Sequence, residues 1–181
     1  MRRIVHGLWP WLAAAFIFMA AVGWAGDGDT VIAITGAVPT PERYTLEQLQ
    51  KLGSTNVTAR DHDGTNAEFT GLPLETLLRR AGAPMGEALR GKALMTAVVV
   101  HAADQYQAVF SLAELESTMV AQPALLAWSR NGQGLAPTQG PLRLIVPGDK
   151  RQARWVRQVT AVEVVAVVRP AITNASTADR P

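Results

Sequence analysis

Beyond residue 25 the apolar residues come in short runs of strand length, broken at intervals by Gly, Pro, Asn and Asp. Such a pattern marks strands rather than long amphipathic helices. It predicts strands near Val31–Thr35, Asn56–Arg60, Ala67–Thr70, Leu94–His101, Gln107–Phe110, Leu125–Trp128, Leu142–Val146 and Trp155–Val168. Helices are few and short. Thr45 with Gln48 forms a capping box that opens a helix through Leu52, and Ser111 with Glu114 forms another that opens one through Thr118. A third helix spans Leu74–Ala81, with Pro73 at its start and Gly82 as its C-terminal stop. Strands outnumber helices and do not alternate with them, so the expected class is α+β with mixed sheets in a single domain, not a doubly wound parallel sheet.

The first 25 residues read differently. Arg2 and Arg3 form a positive n-region, Leu8–Trp24 an apolar h-region, and Gly23-Trp24-Ala25 a small-x-small cleavage site, so residues 1–25 are expected to be a signal peptide. The alternative is an N-terminal membrane anchor; Pro10 and the 17-residue length of the apolar stretch argue for cleavage instead. This leaves a domain over 26–169 and a small, polar, proline-bounded tail over 170–181 that is expected to be disordered. The expected location is periplasmic.

Removing the leader changes the charge balance. It holds two of the 17 Lys and Arg and none of the 15 Asp and Glu, so the mature chain is close to neutral. The overall pI of about 9.4 is then no argument for a nucleic-acid partner. Cysteine is absent, which excludes a disulfide framework and leaves stability to a packed core.

Candidate chemistry gathers in three places. Gly148–Arg157 carries Lys150, Arg151, Arg154 and Arg157 around Trp155, just after the strand that contains Arg143. Cations on a loop leaving a strand end suit an anion, and an adjacent indole suits a flat heteroaromatic ring. The same residues also fit a solvated loop running into a core tryptophan. His101-Ala102-Ala103-Asp104-Gln105-Tyr106 follows an apolar strand: Asp104 could accept from a ring N–H and Tyr106 could orient or donate a proton, or Asp104 could simply make an Asx turn. His101 reads more readily as a satisfied, half-buried histidine. The third group, Thr58 to Gly64, ends in an Asp-Gly turn that predicts a hairpin with Ala67–Thr70. Asp61, His62 and Asp63 are poor metal ligands as a set, because adjacent strand residues face opposite ways. No P-loop, G-x-G-x-x-G, G-x-S-x-G or H-E-x-x-H motif is present, which removes nucleotide-binding, serine-hydrolase and zinc-protease classes.

Several linked segments between Ile34 and Val168 carry a family resemblance. They are Ile34-Thr35-Gly36 with Tyr44-Thr45-Leu46, Phe69-Thr70-Gly71-Leu72-Pro73-Leu74 through Leu77-Leu78, Asp104-Gln105-Tyr106 with Phe110-Ser111-Leu112, Asn131-Gly132-Gln133-Gly134-Leu135, Pro141–Pro147 and Ala153-Arg154-Trp155-Val156. Together they resemble the sulfite-oxidase-like oxidoreductase molybdopterin-binding domain. The resemblance implies that fold, a molybdopterin cofactor, and a role for Tyr106 lining the metal site. It also exposes a departure, since the larger enzymes carry a molybdenum-ligating cysteine on a longer loop. Here that loop, Asn56–Glu68, is short and offers Thr58, Arg60, Asp61 and His62.

The reading that follows from this resemblance is a periplasmic, non-catalytic pterin-binding protein, its pterin or molybdopterin held noncovalently and without metal. Trp155 would stack on the ring, Arg143, Lys150, Arg151 and Arg154 would meet its anionic or hydroxylated substituents, and Asp104 and Tyr106 would bond its edge, with Thr58, Arg60 and His62 as further candidates. No haem motif is present. Small relatives without the cysteine suggest a sensor feeding the periplasmic domain of a membrane signalling protein. The alternatives are a molybdopterin-dependent oxidoreductase with Tyr106 in its active site, and an interaction domain with a vestigial pocket.

Overall fold

A computed structural model describes residues 30–167, so the signal-peptide and tail expectations lie outside the described residues. Among the described residues ten strands form two sheets, the first mixed and the second antiparallel throughout. The first sheet runs in the order β2 (Glu42–Thr45), β1 (Thr30–Gly36), β10 (Val159–Ala166), β5 (Thr96–Ala102), β6 (Gln107–Ser111). β1 and β10 are parallel and the other neighbours antiparallel. In the second sheet, β3 (Thr55–Arg60), β4 (Asn66–Pro73), β7 (Leu125–Arg130) and β8 (Gln133–Gly134) follow in order, and β9 (Arg143–Ile145) also pairs with β7. The expected α+β class with a mixed sheet and short helices is the observed one.

Period-two alternation sends one face of the first sheet into the main core. Ile32, Ile34, Val98, Val100, Phe110, Val162 and Val164 point inward and are buried. They meet Leu74, Leu77 and Leu78 of α2 (Leu74–Arg80) and, from the second sheet, Leu72, Leu126 and Leu144. In the second sheet the central strands β7 and β9 are buried on both faces, whereas β3 and β8 are largely exposed. The other face of this sheet holds a smaller cluster of Ala59, Ala67, Phe69, Leu125, Ala127, Ile145 and Trp155. Arg143 and Ile145 flank Leu144 on β9, so the strand alternation turns Arg143 toward that smaller cluster and Leu144 toward the main core.

Local chemistry explains the element ends. Thr45 caps α1 (Leu46–Lys51) in a reciprocal capping box with Gln48, as the spacing predicts. Ser111 and Glu114 make the second box, but it opens only a 3₁₀ turn over Leu112–Leu115 and not a helix to Thr118. Leu94 and Met95 belong to a 3₁₀ turn ahead of β5, so that strand begins later than its apolar run. The last strand also starts later, at Val159 instead of Trp155, because Gln158 adopts a positive φ of 48° and breaks the extended run. Two strands were not predicted. β2 is four residues with two charges, and β8 is two residues long; neither has an apolar run to announce it.

The β4–β7 ladder has a register irregularity between Thr70 and Gly71, opposite Trp128, and Gly71 lies against β7. A Cβ there would sit 2.3 Å from the Leu126 carbonyl oxygen and 2.6 Å from Ala127 Cα. Both obstacles are backbone, so neither can step aside. Gly71→Ala is expected to cost about 1–3 kcal/mol or more through overpacking, whereas Gly134→Ala, with nothing within 4 Å, should be close to neutral. Urea unfolding of the two variants side by side checks this.

Candidate functional site

The hairpin of β3 and β4 turns at Asp63-Gly64, with Gly64 at φ 81° and Asp61 N–H donating to the Thr65 carbonyl at 2.8 Å. This turn brings the Asp61 carboxylate, 5% exposed, against Arg143, 1% exposed. Arg143 Nη2 donates to Asp61 Oδ1 at 2.8 Å, and Nη1 donates to Gln139 Oε1 at 2.9 Å and, more weakly, to Asp61 Oδ2 at 3.4 Å. Arg130 adds a second cation, its Nε 2.9 Å from Asp61 Oδ2. The Arg143 guanidinium lies 5.6 Å from the Phe69 ring and 5.5 Å from the Trp155 ring, two rings that neighbour each other edge to face. Two buried donors lack a hydrogen-bond partner among the described residues: Arg143 Nε, and Arg130 Nε, which has only its ion-pair approach to Asp61.

Burial alone would raise the Asp61 carboxyl. The hydrogen bonds from Arg143 and the His62 amide, with the charges of Arg143 and Arg130, outweigh that and hold it below the usual aspartate value.

Over this pair lies the segment 147–157. It is clasped on both sides: Gln152 Nε2 donates to the Arg60 carbonyl at 2.8 Å, and the Tyr106 hydroxyl donates to the Ala153 carbonyl at 2.6 Å. Underneath, Leu144 N–H reaches the Val156 carbonyl at 2.8 Å, and the Trp155 indole N–H donates to the Val146 carbonyl at 2.9 Å. The result is a cavity of about 280 Å³. The hairpin turn contributes His62, the β5–β6 turn Asp104 and Tyr106, β9 Arg143, and the clasped segment Gln152, Ala153, Trp155 and Arg157.

Four of the sequence-predicted residues therefore meet at one place, namely Asp104, Tyr106, Arg143 and Trp155, with His62 beside them. Their states differ from those expected. Trp155 is 5% exposed, so it presents an edge of a packed core ring and not a free stacking face. The Tyr106 proton is already committed to a backbone carbonyl. Asp104 forms the Asx turn, its Oδ1 accepting the Tyr106 amide at 3.0 Å, while Oδ2 accepts no hydrogen bond among the described residues.

Arg154 is not in this cavity. It binds Asp149 through Nε and Nη2 at 3.0 and 2.6 Å and Glu114 through Nη1 at 2.8 Å, and it covers the Phe110 ring at 4.6 Å. Those two carboxylates hold its guanidinium protonated well above the ordinary arginine value. It lines a separate cleft of about 450 Å³ on the other side of the segment. Lys150 and Arg151 line neither cavity and make no hydrogen bond or ion pair among the described residues. Thr58 pairs across β3–β4 with Glu68, and Arg60 turns its Nε to the Gly64 carbonyl at 3.1 Å, so only the backbone of Arg60 serves the site. His101 lies 3.2 Å from both Glu163 and Gln107 on the first sheet and does not line the cavity, the satisfied histidine of the plainer reading. The residues that sequence reasoning passed over are Gln152 and Arg157. Arg157 sat in the same run of cations, but extending the last strand back to Trp155 hid it.

The Asp61–Arg143 pair makes a sharp energetic expectation. Asp61→Asn leaves a buried guanidinium uncompensated and should cost about 3–5 kcal/mol, while Asp61→Asn combined with Arg143→Met should recover much of that loss. The sign with pH follows from the lowered carboxyl: its stabilisation is present above the unfolded aspartate value of 3.8 and disappears as pH falls through its lower folded value. Urea midpoints measured from neutral pH down to the acid limb should fall in the natural protein and lie flatter in Asp61→Asn.

The fold that the segments of sequence resemblance implied is also the one that comparison with known proteins finds. Among solved structures, the sulfane dehydrogenase SoxCD from Paracoccus pantotrophus is similar in fold, with a TM-score of 0.59 and 24% identity over 75% of this chain. The match covers 38% of that chain, so this protein corresponds to well under half of the dehydrogenase subunit. No curated protein matches the sequence. The family model for the oxidoreductase molybdopterin binding domain matches residues 27–172, most of the chain, and the chain belongs to that family.

Proposed function

We propose that this protein binds a pterin of the molybdopterin class as a non-catalytic, exported module, and that it reports occupancy to the periplasmic domain of a membrane signalling protein. One observation carries the reading. Arg143 is buried at the cavity wall with an unused Nε–H, in a chain that has no cysteine anywhere to bind molybdenum. A buried donor without a partner is costly, and an acceptor atom on a ligand removes that cost.

The residues fit the organic part of the cofactor. A pterin ring edge offers a carbonyl oxygen and ring nitrogens as acceptors and an amino group as donor. Arg143 Nε can meet the former and Asp104 Oδ2 the latter. Arg157, exposed and without a partner among the described residues, stands at the same cavity for a hydroxylated or anionic substituent. Lys150 and Arg151 extend the positive field of the segment without touching the cavity. Ligand clefts usually run from about 300 to 1,000 Å³, so a space of about 280 Å³ suits a bicyclic ring with its substituents projecting outward.

They do not fit the metal. Molybdenum in such a cofactor supplies redox chemistry, and this family's usual protein bond to it is a thiolate, which this sequence cannot provide. Among the described residues no set of three His, Asp or Glu side chains is grouped to hold a metal ion. Tyr106, the residue an oxidoreductase reading would use, is engaged as a clasp on Ala153.

The test is release and identification. Protein taken from the periplasm of a host that makes the cofactor is denatured, the released ligand is identified by fluorescence and mass, and molybdenum is assayed on the same sample. A pterin without stoichiometric molybdenum is the expected result. Stoichiometric molybdenum would replace this reading with that of an oxidoreductase, and an empty cavity that takes up no added pterin would leave an interaction domain with a vestigial pocket. Arg157→Ala should weaken binding of neopterin roughly tenfold, about 1.4 kcal/mol, with thermal stability unchanged because the side chain is exposed.

A further inference from the structure

The first sheet ends in two edge strands of very different character. β2 carries Glu42 and Arg43 and pairs with β1 across a register irregularity, which are devices that keep a sheet edge from pairing with another chain. In the second sheet β3 ends in a charged Arg60 and β8 is two residues long. β6 has none of these protections. Gln107-Ala108-Val109-Phe110-Ser111 contains no charge and no proline, pairs with β5 without a register break, and exposes Val109 at 59%.

The ladder fixes which backbone groups face outward. Ala102 N–H donates to the Tyr106 carbonyl at 2.9 Å, which makes that residue pair a hydrogen-bonded one. Alternation then makes Val100–Ala108 and Val98–Phe110 the bonded pairs along β5–β6, so the N–H and C=O of Gln107, Val109 and Ser111 point to the open edge. Only the Ser111 N–H is answered, by Glu114 Oε2 at 2.8 Å. No backbone hydrogen bond joins Gln107 or Val109 to a described segment on that side.

We infer that β6 is a self-association edge, which pairs antiparallel with β6 of a second copy of this chain about a two-fold axis at Val109. The register is self-complementary. Val109 would exchange both backbone bonds with the second copy's Val109, and each Gln107 N–H would meet the Ser111 carbonyl opposite, which is the acceptor left free by the Glu114 cap. Charge permits it, because every facing pair in that register is uncharged: Gln107 with Ser111, Ala108 with Phe110, Val109 with itself. Packing favours it as well. Val99 is the cross-strand neighbour of Val109, so the outer faces would join in one row of valines across four strands. Because β6 starts directly after Tyr106, the association would run from the rim of one ligand cavity to that of the other. It does not depend on the identity of the ligand.

Sedimentation velocity on the purified protein, from low to high micromolar concentration, tests this. A concentration-dependent dimer is expected, and Val109→Lys, which sets two ammonium groups against each other at the axis, should weaken association at least tenfold. Val109→Pro gives a second probe, since it deletes an outward N–H without removing a bond to β5; it too should yield monomer with native far-UV circular dichroism. Thr35→Lys, on a central strand of the same sheet, should leave the dimer intact. A protein that stays monomeric throughout, or a dimer that survives both Val109 variants, overturns the inference.

Discussion

The buried pair of Asp61 and Arg143 is the interaction on which the rest of the site depends. Each member comes from a different structural unit, Asp61 from the β3–β4 hairpin turn and Arg143 from the short strand β9, and they lie 82 residues apart in sequence. Neither is tolerable alone at its level of burial, so the turn cannot move away from the strand without stranding a charge. Phe69 and Trp155, packed edge to face against the guanidinium, exclude water and strengthen the pair, at the cost of leaving Nε with nothing to bond. A hydrophobic pair of similar volume would have been a safer way to hold the same two elements together. The presence of a cation here, with one donor facing no acceptor, is better explained by the wall of a binding cavity than by stability.

The segment from Pro147 to Arg157 turns this buried charge into a site. It leaves β9, crosses the guanidinium, and returns to pair its Val156 carbonyl with Leu144 before β10 begins. Alternate stretches of it face different surroundings: Gln152, Ala153, Trp155 and Arg157 toward the smaller cavity, Gly148, Asp149 and Arg154 toward the larger cleft. The ion pairs of Arg154 with Asp149 and Glu114 therefore anchor the outer side, and the Tyr106 and Gln152 hydrogen bonds anchor the inner side. A segment held at both edges by a handful of polar contacts, with few buried side chains of its own beyond Trp155 and Val156, is the part of the fold whose position a ligand can most easily bias.

Much of the framework was legible in sequence because it is written in local signals. The Thr45–Gln48 and Ser111–Glu114 boxes, the Asp63-Gly64 turn and the Leu74 helix behind Pro73 are each short-range, and each stands where its chemistry places it. What could not be read is non-local. No pattern in the chain announces that Asp61 rather than His62 or Arg60 meets Arg143, because that depends on strand order and parity across the second sheet. The cluster of cations near Trp155 looked like one basic surface, yet Arg154 is consumed by carboxylates at positions 114 and 149, Lys150 and Arg151 face solvent, and only Arg157 reaches the cavity. A tryptophan beside arginines reads as a stacking platform in one dimension; in three it is the lid of the smaller core, its one polar atom spent on Val146.

The missing cysteine gives these observations a common direction. In a site that positions a metal, a thiolate fixes the ion and the surrounding cations can remain secondary. Without it, whatever affinity the cavity has must come from hydrogen bonds and charge on the organic part of the ligand. That shifts the burden onto the groups that have capacity to spare: Arg143 Nε, Asp104 Oδ2 and the Arg157 guanidinium. Each is a single directional group, Arg143 Nε buried and the other two on exposed residues, and such a set of separate donors and acceptors suits recognition of an asymmetric heterocycle. The Tyr106 hydroxyl is already spent on the Ala153 carbonyl. Recognition capacity in this cavity is thus spread over several separate side chains and not concentrated in one.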